Sequence, residues 1–94
     1  MAKLEAMHTF VKVAETSSFA EAARQLHMSP PAVTRAVSAL EEQIGTRLFT
    51  RTTRVVRLTE AGNRYFEDCR KILADVEEAE AAASGSDSNF SCPF

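Results

Sequence analysis

Apolar residues recur at three- and four-residue spacing from the first turn of the chain. Leu4, Met7, Val11 and Ala14, with Phe10 and Val13 beside them, predict an amphipathic helix over residues 4–15. Thr16-Ser17-Ser18 interrupts it, and Ser17 or Ser18 offers a side-chain oxygen to cap the next helix. That second helix is short, residues 19–26, with Phe19, Ala22, Ala23 and Leu26 on its apolar face. His27-Met28-Ser29 makes a turn of about three residues; Ser29 is a good N-cap, and Pro30 fits the first helical position, where a missing amide costs nothing. The third helix runs to Ile44 and stops at Gly45, a residue suited to a left-handed C-terminus.

Two short helices joined by such a turn are a helix-turn-helix layout. The third helix sends Val33, Val37, Leu40 and Ile44 inward, while Pro31, Thr34, Arg35 and Ser38 share the opposite face. That outer face is polar and small, which suits close approach to base edges. Beyond Gly45 the period changes. Leu48-Phe49 and Val55-Val56-Arg57-Leu58 are β-prone runs around the polar turn 50–54, predicting a two-stranded wing with Arg51 and Arg54 at its tip. Thr59 caps a long helix with Glu60 in its first turn. Leu58, Gly62, Tyr65, Cys69, Ile72, Val76, Ala79 and Ala83 then alternate spacings of four and three, the seam of a coiled coil. Tyr65, Cys69, Ile72, Val76, Ala79 and Ala83 are thus the candidate dimerisation residues. The competing reading is that the seam covers the domain's own core, as Phe66 and Leu73 are expected to do against the first helix.

The expected fold is mainly α: a winged helix-turn-helix of three helices plus a two-stranded wing (residues 1–58), followed by a long dimerisation linker helix (59–84). Ser84 to Asn89 is linker-like in composition, and residues 85–94 are expected to be a disordered tail.

Charge distribution changes the picture more than its total does. The formal net charge of −2 speaks against nucleic acid until it is resolved along the chain. Residues 45–64 hold five arginines (47, 51, 54, 57 and 64) against Glu60 alone, whereas residues 72–87 hold five acids and no base. A DNA footprint is a local patch, and the middle of the chain offers one. Arg35 has two readings, a contact with DNA or pairing with Glu41 or Glu42. Cys69 and Cys92, without a Cys/His cluster, make neither a disulfide framework nor a zinc site. His8 and His27 stand alone, and Glu41-Glu42 sit on a polar helix face without a pocket. No enzyme activity, metal or cofactor is expected, and a cytoplasmic location follows from the lack of a signal region or spanning segment.

These residues resemble the N-terminal domain of LysR-type transcriptional regulators. The likeness is carried by Phe10-Val11-Lys12-Val13-Ala14-Glu15, Ser18-Phe19-Ala20-Glu21-Ala22-Ala23-Arg24-Gln25-Leu26 and Ser29-Pro30-Pro31-Ala32-Val33-Thr34-Arg35. It continues through Leu40-Glu41-Glu42-Gln43-Ile44-Gly45, Leu48-Phe49-Thr50-Arg51-Thr52-Thr53-Arg54 and Leu58-Thr59-Glu60-Ala61-Gly62, in order and without gaps over about residues 4–84. The resemblance implies double-stranded DNA as partner, bound at an interrupted palindrome by a homodimer whose linker helices pair antiparallel. It implies that Pro30, Pro31, Thr34, Arg35 and Ser38 face the major groove, that Arg51 and Arg54 reach the backbone or minor groove, and that Ser18 meets phosphate. Ser29, the cap of the third helix, completes the candidate DNA-binding set. Such regulators continue into a larger domain that binds a small co-inducer, so this chain is expected to be a truncated product lacking it. The competing function is an interaction module that sequesters full-length regulators as heterodimers.

Overall fold

The computed structural model describes residues 3–51 and 56–84. In chain order they form α1 (Lys3–Thr16), α2 (Phe19–Leu26), α3 (Pro30–Ile44), β1 (Phe49–Arg51), β2 (Val56–Leu58) and α4 (Glu60–Ser84). The architecture is a mainly helical winged helix-turn-helix followed by a long helix. The expected tail (85–94) and the wing tip (52–55), Arg54 included, lie outside the described residues.

Side chains that satisfy free helix-end amides set the breaks. Ser17 takes a left-handed conformation (φ 56°) and closes α1 by donating from its amide to the carbonyl of Val13 at 2.7 Å. Ser18, extended, accepts from the Glu21 amide at 3.0 Å and is the cap of α2. α3 has Pro at its first two positions and ends at Gly45, left-handed at φ 87°.

Phe10 is fully buried where α1, α4 and the wing meet. Its ring lies 5.3 Å from both Phe49 and Tyr65 and 6.4 Å from Phe66, and Phe19 reaches Phe49 at 5.8 Å. Such tilted and edge-on pairs contribute about 0.5–1.5 kcal/mol each beyond their area. Val33, Val37 and Leu40 supply the α3 side of the same core. Two apolar residues expected inside are not. Leu4 is 42% exposed, because it stands about 120° from Phe10 around a helix of 3.6 residues per turn. Ile44 is 41% exposed in the last turn of α3, beside the Gly45 cap.

β1 and β2 pair antiparallel, Phe49 with Leu58, Thr50 with Arg57 and Arg51 with Val56. Thr50 and Arg51, expected in the turn, therefore belong to the strand. A two-stranded sheet this short is not stable alone, and its foothold is the burial of Leu48 and Phe49.

α4 corrects the seam. Cys69 is fully buried within the chain's own core and so is committed inside one chain, while Tyr65 is half-buried, its ring against Phe10. The reason is that the first half of α4 lies on α1, and a coiled-coil period matches a packed helix face over so few turns. Gly62 is buried against the wing root, where a Cβ would overlap the carbonyl oxygen of Leu48. From Ile72 onward the pattern opens: Ile72 is 43% exposed, Val76 half-buried, and Ala79 and Ala83 exposed, with Leu73 alone still buried among these.

Candidate nucleic-acid interface

α2 and α3 are joined by residues 27–29, with His27 left-handed (φ 58°) and its neighbour Met28 donating its amide to Ala23 O at 2.9 Å. Ser29 then accepts from the Ala32 amide at 3.2 Å. These local bonds fix the angle at which α3 leaves the turn. With Val33, Val37 and Leu40 buried, the helical period turns Pro31, Thr34, Arg35 and Ser38 outward, and all four are exposed. Ser29 and Pro30 are exposed at the start of the same helix, while Ser18 is half-buried at the start of α2. Arg35 has no ion pair among the described residues, so the expected alternative with Glu41 or Glu42 is not formed. The pairs that do form lie on other faces: Arg24 with Glu21, and Lys12 with Glu15 at 3.7 Å.

Glu41 is the residue whose role differs most from expectation. It is only 8% exposed, and its Oε2 accepts from the amides of Leu48 at 2.9 Å and Phe49 at 3.2 Å. Its own carbonyl accepts from the Gly45 and Thr46 amides. One glutamate thus ties the end of the outward-facing helix to the first strand of the wing. Its place beside Leu40 and one turn after Val37 was the available signal; its charge argued for solvent.

Thr59 performs the matching task at the far side of the wing. Its hydroxyl donates to Arg47 O at 2.8 Å and accepts from the Gly62 amide at 2.9 Å, while its amide donates to Leu48 O at 3.0 Å. Of the wing arginines, Arg51 ends β1 and Arg57 is exposed on β2.

The family model described as a bacterial regulatory helix-turn-helix protein of the lysR family matches residues 4–63. The chain belongs to the LysR family. Over 85 residues, 90% of its length, this LysR-family chain is 45% identical to an HTH-type transcriptional repressor of Pseudomonas aeruginosa, of which it covers 27%. It is 44% identical over 78 residues, 83% of its length, to the HTH-type transcriptional activator AaeR of Escherichia coli, covering 25% of that protein. The chain therefore spans about a quarter of the length of these relatives. Among solved structures, the DNA-binding domain of BenM in complex with catB site 1 DNA superposes with a TM-score of 0.87 at 30% identity, over 94% of this chain and 98% of that one. The DNA-binding domain of CbnR in its DNA complex gives 0.85 at 33% identity, over 93% and 100% respectively. The LysR-family chain is a helix-turn-helix DNA-binding domain of a transcription regulator.

Proposed function

We propose that this domain binds an interrupted palindrome in duplex DNA as a homodimer, with α3 as the recognition helix. The observation that carries this reading is the outward face of α3. Pro31, Thr34, Arg35 and Ser38 project together from a helix anchored at both ends, and the arginine among them has no acidic partner among the described residues. Thr34, Arg35 and Ser38 would meet base edges, Ser29, Pro30 and Pro31 would set the approach, and Ser18, Arg51 and Arg54 would hold phosphates. The half of α4 that its own chain leaves uncovered, Ile72, Val76, Ala79 and Ala83, would pair with the same surface of a second copy. Two recognition helices related by a two-fold axis would then read two half-sites.

The test is fluorescence anisotropy of a labelled duplex recovered by pool selection, against a random duplex of equal length, across a salt series. The expected result is binding that weakens as salt rises and a recovered sequence with two-fold symmetry. Thr34→Ala and Ser38→Ala should lower preference for the selected duplex more than affinity for the random one. Equal loss on both would remove those residues from sequence readout. The uncovered half of α4 also supports a second reading, sequestration of full-length regulators. A folded dimer that ignores DNA yet displaces a full-length relative from its operator would favour it.

A further inference from the structure

On one flank of the recognition helix lies an open groove of about 1000 Å³. Ala32, Ala36 and Ala39 floor it, and Arg35, Glu42 and Arg47 line its sides. Three alanines on one side of a helix leave the backbone approachable. Ser38 and Arg35 belong both to this groove and to the outward face of α3, so the groove continues that face without a break.

Arg47 was outside the residues assigned to DNA from the sequence, and its setting is unusual for a surface arginine. Its carbonyl accepts from the Thr59 hydroxyl at 2.8 Å. The residue before it donates its amide to Glu41 O at 3.2 Å, and the residue after it to Glu41 Oε2 at 2.9 Å. The backbone is therefore held from both sides while the side chain is exposed, with no ion pair among the described residues. A cation presented on a fixed backbone loses less freedom on binding than one on a loose loop. Two carboxylates also line the groove: Glu41 is buried and held by the Leu48 and Phe49 amides, and Glu42 is exposed, so the formal charge is balanced and only at the exposed surface do the two guanidinium groups outnumber the acid.

We infer that this groove seats one sugar–phosphate strand of the bound duplex, with Arg47 as a phosphate contact on the flank of the recognition helix and Ala39 as the floor against which the strand lies. A helix in the major groove is flanked by two backbone ridges, and small residues beside paired guanidinium groups match the shape and charge of one of them. The inference rests on the DNA-binding reading above and adds a contact to it.

Arg47→Ala, Arg47→Lys and Ala39→Leu are compared with the unaltered chain on the selected and random duplexes between 50 and 200 mM salt. Thermal unfolding followed by circular dichroism reports folding. Arg47→Ala should weaken binding by the same factor on both duplexes and lower the salt slope by about 0.9 for each protomer bound. The fourfold rise in salt would then cost it about 3.5-fold less affinity per protomer than it costs the unaltered chain. Arg47→Lys should restore the slope, because a phosphate contact asks for charge. Ala39→Leu, which fills the groove without touching charge, should weaken binding with the slope retained and the melting temperature unchanged. If the unaltered chain binds with a salt dependence and Arg47→Ala keeps the full slope, the phosphate contact is overturned and the DNA reading stands. Unimpaired binding by Ala39→Leu would overturn the seating of the strand. If the unaltered, folded chain binds neither duplex, the DNA reading fails and this inference fails with it.

Discussion

Replacing Glu41 with alanine removes the acceptor for two buried amides at once. The Leu48 and Phe49 amides sit on side chains that are almost wholly inaccessible, so water is a poor substitute for the lost carboxylate. Hydrogen bonds to a charged group contribute about 1.5–3 kcal/mol each, and an unsatisfied buried donor costs about 1–3 kcal/mol. Because the two descriptions overlap, the expected loss is about 3–5 kcal/mol rather than their sum. A domain of this size commands about 5–14 kcal/mol in all, so the variant should sit close to the edge of folding. Urea unfolding followed by circular dichroism at 222 nm measures the loss directly, and thermal unfolding should show a melting temperature lower by at least about 12 °C. Glu41→Gln keeps an acceptor oxygen but gives up its charge, and should lose roughly half as much. Glu41→Asp shortens the reach by one methylene and should resemble alanine more than glutamine. A Glu41→Ala domain within about 0.5 kcal/mol of the unaltered one would refute the reasoning, since a tie between α3 and the wing cannot be that dispensable.

Three further outcomes follow from the packing. Gly62→Ala drives a methyl group into the Leu48 carbonyl; it should destabilise the domain by about 1–3 kcal/mol, read as a lower urea midpoint, and an unchanged midpoint would show that the wing root yields freely. Burial, with Cys69 next in importance, pushes the Tyr65 hydroxyl up to about 12, and burial also raises Cys69. Both groups are neutral when protonated, so their contribution is fully present below the unfolded values and is lost as pH rises from these through the folded ones; stability should begin to fall above about pH 8.5 through Cys69 and fall further between about pH 10 and 12 through Tyr65, and Tyr65→Phe should flatten the second part of that fall in alkaline unfolding curves. Ile72→Glu places a charge on the uncovered half of α4. Sedimentation equilibrium should then find monomer where the unaltered chain associates, with the melting of the winged core little changed, and persistence of the dimer would move the pairing surface elsewhere.

What the sequence made legible is mostly what is local. Ser18, Ser29 and Thr59 mark helix starts because capping joins a side chain to an amide three residues away, and Gly45 marks a helix end because its backbone turns left-handed there; both arrangements are visible at short range. The outward face of α3 is equally local, being the complement of Val33, Val37 and Leu40. Tertiary relations were harder. Tyr65 and Cys69 fit a seam between chains and a face within one chain equally well, since the two periods differ by only about 20° per heptad. Ile44 has the right phase but too few neighbours at its end of α3. Glu41 has the right phase as well, and its charge hid the fact, because the amides that donate to its carboxylate come from a segment seven and eight residues later.

If the proposed homodimer forms through the uncovered end of α4, chain concentration becomes a structural variable. After Leu73 the helix has 11 residues, rich in alanine and glutamate, with no base in the last turn. A helix that short is marginal in water on its own, and acids near its carbonyl end oppose the helix dipole. Whatever covers Ile72 and Val76 therefore contributes ordering free energy to these last turns, and the linkage runs both ways: a well-formed helix end prepays part of the cost of association. Helix content in such a chain is a report on mass action as much as on sequence, and dilution is the perturbation that reads it without changing an atom.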